Sequence, residues 1–172
     1  MMKQLFLIVA LLCALLVAGC ATLTPEEKAA REAEAKEYVK KALATQKYKI
    51  NITSMNPMRG NERTVSGPWL KVDSTTVECM LPYVGLDDIP HIKTPGEVRM
   101  GSRFEFKSAM REYVLTIDPK DERVVIRFKA DDHGFECKFL IVIDEVGSAR
   151  IHVEPEGRDF IDYEGRVVIQ KK

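Results

Sequence analysis

The sequence has no surplus of charge of either sign, because 26 Lys and Arg residues balance 26 Asp and Glu residues in a chain of 172. Binding of nucleic acid through its phosphates needs a basic surplus on one face, so we expect no nucleic-acid partner. Histidine is scarce too. His91, His133 and His152 have neither a helical i,i+4 partner nor a Cys-x-x-Cys neighbour, and we therefore expect no metal and no other cofactor.

Familiar catalytic motifs are also missing. The chain has no Gly-x-Ser-x-Gly pattern, no P-loop and no dinucleotide-binding glycine pattern. The sequence therefore predicts no catalytic residue and favours a protein that is not an enzyme.

The only long apolar run lies at the start of the chain. Lys3 supplies a positive charge, residues 5–17 are apolar without interruption, and Leu16-Val17-Ala18-Gly19-Cys20 fits the cleavage site of a bacterial lipoprotein signal. The run is shorter than the roughly 20 residues that a membrane-spanning helix needs. We predict that residues 1–19 are a cleaved signal peptide and that Cys20 carries the lipid that holds the protein on a membrane.

The residue after the lipidated cysteine indicates whether the protein is held on the inner or the outer membrane. Ala21 is not a residue that retains lipoproteins in the inner membrane. The expected location is the outer membrane, with the protein facing either the periplasm or the cell surface.

Cysteine is rare outside this signal. Only Cys79 and Cys137 remain in the body of the chain, and both share strand parity with apolar neighbours. An oxidising envelope permits a disulfide between them. The alternative is that both are small buried apolar residues.

The remaining chain changes from helical to strand periodicity. Residues 20–46 read as a lipidated tether followed by a helix, which begins with a capping box formed by Thr24 and Glu27 around Pro25. Residues 47–172 alternate apolar and polar side chains between short turn signals, as antiparallel strands do. We predict a mainly β fold, in which an N-terminal α-helix precedes a seven- to nine-stranded antiparallel β-barrel or β-sandwich.

Two Gly- and Pro-rich loops, residues 57–68 and 82–102, interrupt this alternation. Long loops on a β scaffold often carry binding residues. The candidates for contact with a ligand or partner are loop aromatics, an arginine and a glycine: Arg59, Trp69, Tyr83 and Gly85. A role for Trp69 in core packing is an alternative. Arg158 flanks a glycine in the same way as Arg59 and could also hold an anionic group.

The leading hypothesis is a non-catalytic binding or accessory module of the cell envelope, which binds an unknown small molecule or envelope protein. One alternative is an envelope hydrolase that uses loop carboxylates such as Asp87, Asp88 or Asp159. The other is a purely structural envelope lipoprotein.

Four short motifs also suggest a family. They are Met55-Asn56-Pro57-Met58-Arg59-Gly60, Leu81-Pro82-Tyr83-Val84-Gly85, Gly147-Ser148-Ala149 and Ile161-Asp162-Tyr163-Glu164-Gly165. In this order, over residues 48–167, they resemble the bacterial family called domain of unknown function 4251. The resemblance implies a small envelope lipoprotein of a Gram-negative bacterium with a helix-then-strands layout, and it implies no particular activity.

Overall fold

The computed structural model describes residues 24–85, 103–118 and 123–168. Within them, one helix, α1 (Pro25–Ala44), precedes ten strands. The strands are β1 (Lys47–Pro57), β2 (Arg63–Thr64), β3 (Trp69–Asp73), β4 (Thr76–Pro82), β5 (Arg103–Ala109), β6 (Arg111–Ile117), β7 (Val124–Asp132), β8 (Phe135–Ile143), β9 (Ser148–Pro155) and β10 (Ile161–Val167). The prediction of a mainly β fold behind an N-terminal helix is confirmed.

Helix α1 begins where the capping box predicts. The Thr24 N–H donates to Glu27 Oε2 at 2.9 Å, and the Glu27 N–H donates to Thr24 Oγ1 at 3.2 Å. These reciprocal bonds satisfy amide groups that the first turn leaves without helical partners. The backbone bond from Thr24 also holds the pKa of Glu27 below its ordinary value.

The chain divides into two compact units after Ala33, and the last turns of α1 belong to the second. Val39, Ala42 and Leu43 are buried there. Lys36 Nζ lies 2.7 Å from Glu145 Oε1, in the turn between β8 and β9. The last half of the helix is therefore part of the β unit.

The long strands form one antiparallel sheet in the order β5-β4-β3-β1-β10-β9-β8-β7-β6, and the short β2 pairs with β1. The two edge strands, β5 and β6, are consecutive in the chain and are separated only by Met110. The Asp131 N–H of β7 donates to Ser108 Oγ of β5 at 3.1 Å. The sheet therefore curls into a nearly closed barrel. Of the two predicted architectures, barrel and sandwich, the structure has the barrel.

Side chains of alternating residues pack the barrel interior. Phe128 stacks on Phe139 with ring centroids 4.8 Å apart, and Phe106 meets Phe139 edge-on at 6.3 Å. The largest fully buried side chains elsewhere in the core are Tyr163, Phe104, Ile50, Leu70, Leu81, Ile126, Ile141, Ile143, Ile151 and Ile161. A ligand must therefore bind at a barrel end or on the outside, because side chains fill the interior.

One glycine is required by close strand packing. A Cβ at Gly165 of β10 would collide with the main-chain carbonyl oxygen of Asn51 on β1 and lie 3.1 Å from Ile50 Cγ2. Only a residue without a side chain allows β1 and β10 to approach this closely at the register shift between Ile52 and Ser54.

We predict that Gly165→Ala lowers the free energy of unfolding by about 2–3 kcal/mol, because the added methyl group meets backbone that cannot move aside alone. Arg166→Ala, at the exposed neighbouring position, should change it by less than about 0.5 kcal/mol. Urea unfolding of both variants measures the difference, and equal values would show that β1 and β10 do not pack as closely as described.

Candidate functional site

Three loops meet at one end of the barrel, around Asp159 in the connection between β9 and β10. The Tyr83 hydroxyl, just after β4, donates to the main-chain carbonyl of Asp159 at 3.2 Å. Arg59 Nε, just after β1, lies 3.2 Å from Asp159 Oδ2. We call Arg59, Tyr83, Gly85, Arg158 and Asp159 the Asp159 cluster. It unites three of the four loop residues that the sequence predicts, namely Arg59, Tyr83 and Gly85.

Gly85 packs so closely against Tyr83 and Asp159 that its position has no room for a side chain. A Cβ at Gly85 would collide with the Tyr83 hydroxyl and lie 3.0 Å from Asp159 Cβ. The glycine therefore lets the loop after β4 fold over the tyrosine and onto the β9–β10 connection.

Tyr83, one of the predicted candidates for contact with a ligand or partner, is buried. Its ring meets Phe104 edge-on, with centroids 5.2 Å apart, and closes the end of the core. Arg59, in contrast, is mostly exposed. Within the cluster, Arg59 is the predicted residue with an exposed side chain, and Gly85 is exposed as well.

A buried ion pair between Arg158 and Asp132 lies on the core side of the cluster. The side chains of Arg158 and Asp132 are almost wholly buried, with Arg158 Nη1 3.8 Å from Asp132 Oδ2. The guanidinium of Arg158 also lies over the rings of Tyr83 and Phe104, 5.2 and 5.7 Å from their centroids. Burial raises the pKa of Asp132 above its ordinary value, and the charge of Arg158 opposes that shift.

Sequence reasoning missed Asp132, which the pattern Asp131-Asp132-His133-Gly134 places in a turn. Strand parity could have found it. Asp132 follows Ile126, Phe128 and Ala130 at intervals of two, and all four are buried.

The remaining predicted residues lie elsewhere. Trp69 is half-buried at the start of β3, where Lys49 Nζ lies 4.8 Å from its ring centroid. Cys20, Asp87 and Asp88 lie outside the described residues. Lipidation of Cys20 and any role of the two aspartates therefore stay predictions.

Cys79 and Cys137 are both buried, and they are not bonded to each other in the structure. Burial raises the pKa of both thiols, that of Cys137 to about 12. Burial of both side chains fits the alternative of two small buried apolar residues.

Two hollows lie on the outside of the β unit. One, of about 650 Å³, borders the cluster and is lined by Glu136, Lys138, Glu154, Pro155, Glu156, Gly157, Arg158 and Asp159. The other, of about 490 Å³, includes His152, whose Nδ1 lies 2.7 Å from Asp162 Oδ1. Both volumes are in the range of small-molecule sites.

The described residues hold neither a metal-binding cluster nor a membrane-spanning helix. They contain no group of three or more His, Cys, Asp or Glu side chains placed to hold a metal ion. Their single long helix, α1, lacks the apolar stretch that crossing a bilayer requires.

Comparison with known proteins identifies a family. A family model described as "Domain of unknown function (DUF4251)" matches residues 30–167. A crystal structure of a DUF4251 family protein from Bacteroides eggerthii DSM 20697 has a similar fold, with a TM-score of 0.60 at 11% sequence identity, over 81% of this chain and 90% of that chain. No curated protein matches the chain significantly.

We predict that Arg158→Met destabilises the protein by about 3–5 kcal/mol at neutral pH, because it leaves the Asp132 carboxylate buried without its cation. Arg103→Met, which removes an exposed ion pair with Glu105, should cost less than about 1 kcal/mol. Chemical unfolding of both variants gives the two values.

The pH dependence tests the same pair. A carboxyl whose pKa is raised in the folded state stabilises the fold below its unfolded pKa and loses that contribution as the pH rises through the folded pKa. Removing Arg158 raises the pKa of Asp132 further. The deficit of Arg158→Met relative to the wild type should therefore grow between roughly pH 4 and pH 7; a constant deficit would mean that Asp132 is not the affected group.

Proposed function

We propose that this chain, which belongs to the DUF4251 family, is a lipid-anchored, non-catalytic binding module of the bacterial cell envelope. Cys20 carries the lipid, the outer membrane is its location, and the Asp159 cluster is its recognition surface. Its ligand is a small molecule or an exposed segment of an envelope protein.

The sequence around Cys20 supports the anchor. The lipobox Leu16–Cys20 ends four residues before the Thr24 cap of α1. The first nine residues of α1, up to Ala33, precede the β unit and span about 14 Å at 1.5 Å per residue. An extended helix that starts so close to a lipidated residue is suited to act as a spacer.

The observation that carries the binding proposal is the convergence of three distant chain segments on Asp159. Arg59, Tyr83 and Arg158 come from different loops, yet hydrogen bonding, an ion pair and ring contacts join them at one barrel end. Loops that a rigid scaffold holds together are common positions for binding residues. The adjoining hollow provides space for a ligand of moderate size.

The ion pair and the burial of Asp159 favour a binding role over hydrolysis. A glycosidase needs two carboxyl groups that face each other across a cleft, about 5–10 Å apart. Asp159 instead makes an ion pair with Arg59 and is mostly covered, while Asp132 lies beneath the surface against Arg158. These carboxylates are engaged in holding the loops together.

The anchor is tested by cell fractionation. Cys20→Ser should block processing of the signal and remove the protein from the outer-membrane fraction, because no acyl chain can be attached and the uncleaved apolar signal holds the precursor in the inner membrane. Cys13→Ser, inside the signal, is the matched control and should stay with the membranes. Processing of Cys20→Ser and its presence in the outer-membrane fraction, both as in the wild type, would refute lipid anchoring.

The binding surface is tested with two matched arginine variants. Arg59 and Arg103 have similarly exposed side chains, 62% and 61%, and each forms one ion pair. Thermal shifts of the wild type are measured against amino acids, dipeptides and simple sugars. We expect Arg59→Ala to lose any shift that the wild type shows and Arg103→Ala to keep it. Equal loss in both variants, or no shift with any compound, would contradict a small-molecule site at the cluster.

A further inference from the structure

One row of outward-facing side chains on the sheet is rich in lysine. Lys49 of β1 pairs directly with Lys71 of β3. In the same row, Glu78 of β4 pairs with Lys71 on one side and with Lys107 of β5 on the other. Arg166 of β10 lies diagonally next to Lys49 on the far side of β1. These four cations are all exposed, and we call Lys49, Lys71, Lys107 and Arg166 the basic face.

Ion pairs do not neutralise the basic face. Among the described residues, none of its four cations lies within ion-pair distance of a carboxylate. On the outer side of β7, β8 and β9, in contrast, Lys129, Lys138 and Arg150 each lie between 2.9 and 3.5 Å from a glutamate oxygen. Like charges directly opposite each other on antiparallel strands are destabilising. Packing within the chain gives no reason to place Lys49 opposite Lys71, so the pair indicates an anionic partner outside the chain.

The single tryptophan of the chain lies in the next row of the same side. Trp69 stands between Asn51 and Met80, its ring is half-buried, and Lys49 Nζ lies 4.8 Å from the ring centroid. Within the part of the chain that the structure describes, the indole N–H has no hydrogen-bond partner. A partly covered indole beside lysine side chains is typical of protein surfaces at a membrane–water interface.

The carboxylates on this side of β3, β4 and β5 reduce its positive charge only in part. Asp73 and Glu105 each lie beside a cation outside the basic face, Lys47 for Asp73 and Arg103 for Glu105. Glu78 is half-buried in the row between two lysines of the basic face. The four cations therefore exceed the one carboxylate among them. Such a surplus attracts an anionic surface, and dissolved salt weakens the attraction.

We propose that the basic face lies on the headgroups of anionic lipids, in the membrane on which the proposed lipid at Cys20 holds the protein. The inference rests on that anchor, because a tether keeps the basic face close to the bilayer at high local concentration. The four cations bind lipid phosphates, and Trp69 enters the headgroup region. Lys49 is near the start of β1, whereas Arg59 follows its end. Docking through the basic face therefore leaves the Asp159 cluster uncovered.

The first experiment uses the fluorescence of Trp69, which reports on this side of the sheet alone because the chain has one tryptophan. The full-length protein, purified from cells in detergent, is reconstituted into vesicles of phosphatidylcholine or of phosphatidylcholine with phosphatidylglycerol. Both contain a lipid with a quencher on its headgroup. We expect stronger quenching of Trp69 in the anionic vesicles, and we expect concentrated salt to remove the difference. Equal quenching in the two kinds of vesicle overturns the proposal.

Two double variants with the same change of net charge locate the contact. Lys71→Gln with Lys107→Gln removes half of the basic face and should lose most of the additional quenching in anionic vesicles, because each cation near the lipid surface adds to the attraction. Lys138→Gln with Arg150→Gln, on the outer side of β8 and β9, is the matched control and should keep it. Equal loss in both variants reflects net charge alone and overturns the proposal.

Flotation of the same vesicles distinguishes this inference from the anchor. If the protein floats with both kinds of vesicle but shows no charge-dependent quenching, the inference is overturned and the anchor stands. If it floats only with the anionic vesicles and leaves them in concentrated salt, the anchor is overturned and the basic face is supported. If it floats with neither, both are overturned.

Discussion

The change of direction at Met110 determines which strands form the two edges of the sheet and where on the β unit a ligand can bind. The Met110 N–H donates to the carbonyl of Thr75 at 2.8 Å, which holds the bend against the start of β4. One continuous segment thereby supplies both edges of the sheet, since β5 pairs with β4 and β6 pairs with β7. Closure near Ser108 seals the core and moves any binding to the barrel ends or the outer face. Among the strands of the described residues, β6 pairs with β7 alone.

The buried pair of Arg158 and Asp132 shows how the closed barrel fixes its loops. Burying two charges is costly, and an apolar pair of the same volume is often at least as stable. The pair has a positional effect that an apolar pair lacks: it joins the end of β7 to the β9–β10 connection, and the guanidinium supports Tyr83 through its ring. Tyr83 in turn holds Asp159, with which the exposed Arg59 pairs.

The helix and the long strands of the fold could be predicted because their signals are local, whereas the predicted loop 57–68 contains the short strand β2. The period of two in β1 or β7 is visible within a few residues, and so is the capping box at Thr24. Burial of Tyr83 could not be predicted in the same way, because it depends on Phe104, which is distant in sequence. Strand parity indicates the burial of Asp132, but its partner Arg158 is likewise distant in sequence. The pairing order of strands is also non-local. No local pattern indicates that β5 and β6 become opposite edges of one sheet.

The apolar residues on the outer face of β8 involve both the local periodicity of a strand and the non-local pairing between strands. Leu140 and Val142 break the alternation of a strand that is otherwise polar on its outer side, and the sequence alone gives no reason for this. In the barrel, Val142 lies beside Val125, one strand away from the exposed edge of β6. The two-sided stretch of β8 therefore continues onto β7, which the periodicity of either strand alone does not show. Pairing between strands, and not the alternation within one of them, creates this apolar part of the outer face, where Val125 and Val142 are only partly covered.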